Sequence, residues 1–206
     1  ENGGLWLPGG DSLGDSLGDS RDDSLGGSLK NSQAEGEPDY LIALGDRHRD
    51  QLAAVFRHLQ AEFPQIRESA DNRFRLTDWT FDVQGLSLVD LTRMGDRCQE
   101  LGWGFTYSAV QCHIKPMGQE KAIALQQVIQ RQFPGLAPEQ VVTVGDSPND
   151  ESLFDGDRFP LSVGVANVRH YAEQLRYQPA FVTDAAEVEG FSELTQWLCD
   201  CPMPGA

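Results

Sequence analysis

The sequence predicts an α/β fold, a layered core with a parallel sheet that carries a second α/β unit, and three observations point to it. Residues 141–144 (VVTV) form a β-branched run of the kind that fills a parallel strand buried on both faces. A carboxylate-rich loop and a helix start follow at once in "VVTVGDSPNDESLF". Upstream, "IKPMGQEKAIALQQVIQRQF" reads as a turn and then an amphipathic helix, with Ile123, Leu125, Val128, Ile129 and Phe133 on its apolar side.

The first 38 of the 206 residues have a different character. Residues 10–29 parse into five four-residue units, GDSL, GDSL, GDSR, DDSL and GGSL. A period of four with Gly at almost every fourth place suits neither a strand nor a stable helix. Residues 1–40 hold nine acidic and two basic residues, so the segment reads as an acidic, low-complexity loop expected to be disordered. Gly-Asp-Ser-Leu resembles the signature of a serine esterase family. A nucleophilic Ser, however, must be held rigidly beside its base, and a tandem array of turn formers positions none.

Residues 39–112 read as a compact α/β unit. "DYLIAL" is a strand, "DRHRDQLAAVFRHLQAEF" a helix and "DWTFDV" a strand. "LSLVDLTRMGDRCQELG" is a second helix, and "FTYSAVQCHI" supplies the strands that return to the core. The expected order is β-α-β-β-α-β, a ferredoxin-like pattern. Asp71, Asn72, Arg73, Arg75 and Asp78 crowd the start of the second strand. They suit either a grip on the hydroxyls of a ligand or a solvated loop with local ion pairs. His48 and His58 fall on a helix's polar side and His113 in a strand, and none is given a role.

Residues 113–206 hold the parallel-strand pattern. The strand at residues 141–144 delivers Asp146 and Asp150 to its carboxyl end, the edge where open α/β sheets bind ligands. Two carboxylates four residues apart around a turn suit Mg²⁺, which accepts one or two protein carboxylates and keeps its waters. An ordinary strand-to-helix turn with an Asp cap fits the same residues. Lys121 opens the preceding helix, where a cation opposes the helix dipole unless an anion lies beside it.

Composition narrows the function. A net charge of −16 and a pI near 4.4 argue against nucleic acid or an anionic membrane as partner. No apolar run approaches the roughly 20 residues that cross a bilayer. Cys98, Cys112, Cys199 and Cys201 match no zinc spacing, and the chain opens on nothing like a secretory signal. Reduced thiols and a soluble cytoplasmic protein are therefore expected.

Together these stretches resemble the haloacid-dehalogenase-like (HAD) hydrolases, specifically the Cof-type subfamily IIB. The mannosyl-3-phosphoglycerate phosphatase and sucrose-phosphate phosphatase types are the most similar. "VVTVGDSPNDESLF" resembles that family's fourth motif and "KPMGQEKAIAL" its third. "LSVGVANV" and "FVTDAAEVEGFSEL" are similar to the strand and closing helix that follow, and "ENGG" to the end of the first core segment. The resemblance implies a three-layer Rossmannoid core at residues 113–206, lacking its N-terminal part, with an inserted C2B-type α/β cap at 39–112. Residues 1–38 then hold the end of the first core segment and the repeat loop.

The resemblance also implies a Mg²⁺-dependent phosphatase acting on a small sugar phosphate such as mannosyl-3-phosphoglycerate or sucrose phosphate. Asp146 would ligate the metal. Asp150 would hold the metal's waters or orient its neighbours, and Ser147 and Asn149 would bind the phosphoryl group or the loop. Lys121 would neutralise the phosphate and its attacking carboxylate. The family's nucleophile and general acid lie in a D-x-D-x-T motif, and nothing in this chain matches it. An aspartyl-phosphate intermediate therefore needs a nucleophile outside this chain, which on its own is expected to be inactive. The alternative is a non-catalytic remnant that binds only metal or a phosphorylated ligand. A core without its central strand is further expected to be weakly stable and prone to associate.

Overall fold

The computed structural model describes residues 46–200. The opening "ENGG", the repeat, the "DYLIAL" strand and Cys201 lie outside them. The elements run α1 (Asp46–Glu62), β1 (Trp79–Asp82), α2 (Leu88–Glu100), β2 (Trp103–Tyr107), β3 (Gln111–Pro116), α3 (Lys121–Gln132), β4 (Val142–Gly145), β5 (Leu161–Gly164), β6 (Phe181–Val182) and α4 (Glu187–Asp200). Short 3₁₀ helices at Ala70–Phe74, Pro138–Gln140, Pro148–Phe154 and Ala166–Tyr171 join them.

These elements form two sheets, one antiparallel in the order β1-β3-β2 and one parallel in the order β4-β5-β6. The β-α-β-β-α-β order expected for the first unit is not found among the described residues, which run α1-β1-α2-β2-β3. Helix α2 lies between β1 and β2 where two adjacent strands were expected, and β2 and β3 are joined directly by a hairpin. Ser108 Oγ accepts the N–H groups of Val110 and Gln111, closing a tight turn that lays β3 between β2 and β1. Strand β3 also runs through residue 112, so the antiparallel sheet ends at Pro116 rather than at the boundary read from sequence.

Strand alternation gives this sheet two unlike faces. Phe81, Cys112 and Ile114 are fully buried on one of them, against Leu52, Val55, Phe56 and Leu59 of α1 and Leu91, Met94 and Cys98 of α2. The N-terminus of α2 is fixed by a capping box between Ser87 and Asp90. Burial pushes the thiols of Cys98 and Cys112 up to about 12, so both behave as small apolar side chains. His48 departs from its expected polar position. It falls on the stripe of Leu52, Val55 and Leu59, and its ring packs 5.6 Å from that of Trp103.

The other face is polar and mostly closed. His113 stands in register with Thr80 on one side and Thr106 on the other, and its Nδ1 lies 2.9 Å from Asp78 Oδ2. Arg75 donates to both oxygens of Asp78, to Asp71 and to Gln111, whose amide in turn reaches Ser69. Asn72 pairs through its amide with the backbone of Thr80, and Arg49 caps the carbonyls of Asn72, Arg73 and Arg75. Asp78 and Asn72 are buried while Arg73 is exposed and Asp71 partly so, so the local ion pairs expected in this stretch are present and its inner half is locked against the sheet.

In the parallel unit, Phe154, Phe159, Val163, Val165, Val168, Leu175 and Leu194 are buried. Strand β4 was expected to be buried on both faces. Instead Thr143 and Gly145 are buried while Val142 and Val144 are half-buried, because β4 is an edge of the described sheet. Helix α3 shows the same opening. Only Ala122 is buried, the apolar residues Ile123 to Ile129 are half-buried, and Phe133 is 56% exposed.

Two predictions follow from this packing. Burial opposes ionisation of Asp78, yet His113 and Arg75 outweigh it and hold its pKa below the usual carboxylate range. Its stabilisation is thus present above the unfolded-state pKa of about 3.9 and is lost as pH falls through the folded-state value. Asp78→Ala should cost about 3 kcal/mol in urea unfolding at neutral pH. The gap from wild type should narrow in strong acid, and a gap that is constant with pH would refute the ion-pair account. The open face of α3 should also drive association. In sedimentation velocity the wild-type chain should grow with concentration, and an Ile129→Ser/Phe133→Ser double variant should grow less.

Candidate active site

Strand β4 brings the chain to Gly145, and the next five residues build the site. Gly145 is required by a close approach: a Cβ there would lie 2.4 Å from Asp150 Cβ and 2.9 Å from the Phe154 ring. The loop therefore folds directly over the strand end, and Asp150 is buried against it. Asp150 N–H donates to Ser147 C=O at 2.9 Å, the first bond of the 3₁₀ turn Pro148–Phe154.

The Asp150 carboxylate is shared. One oxygen receives the Lys121 ammonium at 2.5 Å and the other accepts the Asp146 N–H at 2.9 Å. Lys121 is the first residue of α3, so the anion expected beside it is supplied by the chain itself. Ser152 Oγ accepts the Ala122 N–H at 3.2 Å and ties the same helix start to the same loop. Gly118, at φ +74°, supplies the left-handed residue of the turn that aims α3 here.

Asp146 is held on both oxygens. Ser147 Oγ lies 2.8 Å from Oδ1, and Asn167 Nδ2 donates to Oδ2 at 2.9 Å. The buried Ser147 hydroxyl is also 2.9 Å from Asn149 Oδ1, and with one proton it donates to one of these two at a time. Lys121, Asp146, Ser147, Asn149 and Asp150, the five residues singled out from sequence, thus fall in one hydrogen-bonded cluster at the carboxyl end of β4.

Two participants were not legible in the sequence. Asn167 comes from the 3₁₀ helix after β5, positioned because Val165 N–H bonds Gly145 C=O, and its Oδ1 accepts the Glu187 N–H. Tyr171, at the end of that helix, lies near Asp146, and its phenol is raised first by burial and then by that carboxylate. Tyr171 meets Tyr107 of β2 edge-on at 6.2 Å.

The donor set suits a hard divalent cation. Asp146 and Asp150 offer carboxylate oxygens, with Ser147 and Asn149 oxygens beside them, and each carboxylate oxygen has a lone pair beyond its hydrogen bond. Among the described residues no group of three or more His, Cys, Asp and Glu could hold a metal. The two carboxylates, Asp146 and Asp150, could between them hold a cation such as Mg²⁺ that keeps most of its waters. The arrangement does not form a closed protein cage.

No protein-family model matches this sequence, and no curated protein matches it. Solved structures do. The sucrose-phosphatase of Synechocystis sp. PCC6803, solved with sucrose and phosphate, matches at a TM-score of 0.53 and 17% identity, over 75% of this chain and 67% of that one. A Thermoplasma acidophilum protein matches at 0.52 and 20% identity, over 70% of this chain and 60% of its own. A haloacid dehalogenase-like hydrolase from B. subtilis shows a weaker likeness, at a TM-score of 0.46 and 17% identity over 59% of this chain and 40% of that one. The chain thus spans about two thirds or less of the length of these structures. Among the described residues no helix is long and apolar enough to cross a membrane. At these identities the likeness is one of fold: the chain has a mixed α/β fold similar to those of the sucrose-phosphatase and the Thermoplasma acidophilum protein.

Proposed function

We propose that this chain carries the metal- and phosphate-binding half of a Mg²⁺-dependent phosphomonoester hydrolase of the HAD type, subfamily IIB, acting on a small sugar phosphate. One observation supports this above the others. The bonded series Lys121–Asp150–Asp146 stands at the carboxyl end of β4 in a fold shared with a sucrose-phosphatase.

In this reading Lys121 binds a phosphoryl oxygen and neutralises charge, and Asp150 fixes its ammonium in place. Asn167 and Ser147 aim the Asp146 carboxylate. Asn149 spends its carbonyl on Ser147, which leaves the Nδ2 donors for a ligand. Mg²⁺, when bound by Asp146 with Asp150 nearby, would supply positive charge to the phosphoryl oxygens. The nucleophilic carboxylate that would carry the aspartyl-phosphate lies outside this chain, since no D-x-D-x-T pattern occurs in its 206 residues. Residues 39–112 serve as the cap, with Tyr107 resting on Tyr171 at the rim, and exclude water from the site. The protein acts in the cytoplasm on a small molecule, with neither nucleic acid nor membrane as partner.

The missing nucleophile favours a second reading, a non-catalytic remnant that binds metal or a phosphorylated ligand only. The two separate in one set of assays. In the complete protein, Asp146→Asn should lower turnover about a thousandfold with the fold intact by circular dichroism. Asp150→Asn, which frees Lys121, should lower it about tenfold to a hundredfold. Normal turnover in the Asp146 variant would sink the assignment. The 206-residue chain alone should bind Mg²⁺ and inorganic phosphate by calorimetry without hydrolysing esters. Hydrolysis by the purified chain would place the nucleophile within it and dispose of the remnant reading.

A further inference from the structure

The chain contains thirteen Arg and only three Lys, and two of those three are Lys115 and Lys121, at either end of the turn between β3 and α3. Lys121 is paired with Asp150, but Lys115 has no carboxylate at ion-pair distance among the described residues. Its Nζ donates to the Gln119 carbonyl at 2.5 Å. Its stem lies over Gly104 of β2, where an added Cβ would stand 3.3 Å from Lys115 Cγ and 3.1 Å from the Pro116 carbonyl.

Lys115 is therefore a cation led inward from the end of the polar sheet face. Burial is the first cause that lowers its pKa. The neighbouring Glu120 carboxylate is the next influence and raises it, Lys121 lowers it, and Asp78 raises it least. A second group nearby shows the same deficit. Gln119 Nε2 is enclosed and has no acceptor. An amide donor without an acceptor costs free energy, as does a desolvated ammonium whose only hydrogen-bond partner is a neutral carbonyl, and an anion would serve both.

We propose that Lys115 and Gln119 form an anion subsite beside Lys121, one that takes a second negatively charged group, a carboxylate or second phosphate, of the same phosphorylated substrate. This rests on the reading of Lys121 as the phosphoryl-binding lysine and narrows the substrate class. It favours a sugar phosphate that carries an acid, as a glycerate does, over a neutral sugar monophosphate such as sucrose phosphate.

The test compares two probes that differ by one carboxylate, phosphoglycerate and glycerol phosphate, titrated calorimetrically into the chain at fixed Mg²⁺. Wild type should bind phosphoglycerate tighter by about tenfold or more. Lys115→Met should erase the preference and Lys115→Arg should keep it. Gly104→Val, which crowds the lysine stem while leaving its charge, should weaken it and guards against a Lys115→Met chain that fails to fold. Lys121→Met should weaken both esters alike. Equal affinity of wild type for the two esters, or a preference that survives Lys115→Met, overturns the subsite and leaves the phosphatase reading standing. Binding of neither ester by wild type overturns that reading, and the subsite with it.

Discussion

The contact between Lys121 and Asp150 is the constraint on which the rest of the site depends. A lysine in the first turn of a helix is opposed by the helix dipole, and a buried aspartate is costly without a partner. Each removes the other's cost, at 2.5 Å. Because Asp150 also accepts the Asp146 N–H, the same carboxylate sets the backbone from which Asp146 projects. Gly145 makes this geometry possible, since any side chain there would occupy the space of Asp150. One carboxylate thus links a helix start, a strand end and the orientation of its neighbour.

The antiparallel unit is organised by a different balance. Its apolar face is a conventional core, but its polar face buries charge, and Asp78 lies between His113 and Arg75 with no exposure. Such a cluster adds little net stability over an apolar one, yet removing a single member leaves an unpaired buried charge. What it provides is direction. It fixes the segment at residues 70–78 against β1 and β3, and β3 then runs on to Lys115 and the turn into α3.

Much of the site was legible because its members are close in sequence. A β-branched run, a Gly and two Asp residues four apart announce a strand end and a polar loop, and a lysine at a helix start asks for an anion. Partners distant in sequence were not legible. Asn167 lies 21 residues from Asp146, and nothing in "GVANV" marks its side chain as the one that aims a carboxylate. His113 and Asp78 are 35 residues apart, and a lone His in a strand gives no sign of a buried partner. Strand order failed for a related reason. Periodicity identified every described strand of the first unit, but the turn at Ser108, not periodicity, decides that β3 lies in the middle. The apolar content of β4 and α3 was read correctly and their burial was not, because burial depends on neighbours that a local pattern does not specify.

Charge explains how so acidic a chain could receive an anion at all. Long-range repulsion from a net −16 is screened within about 8 Å at physiological salt, so a ligand close to the surface feels mainly the charges lining the site. Asp150 is already committed to Lys121, and Asp146 is shared between Ser147 and Asn167, so the local carboxylates are partly neutralised or hydrogen-bonded. The Lys115 ammonium lacks such a counter-ion, and the N-terminus of α3 adds its partial positive charge at the same place. The net charge of the chain repels polyanions, and Mg²⁺, if bound at Asp146 and Asp150, would offset the local negative charge. Such a distribution would favour small anionic ligands over extended ones.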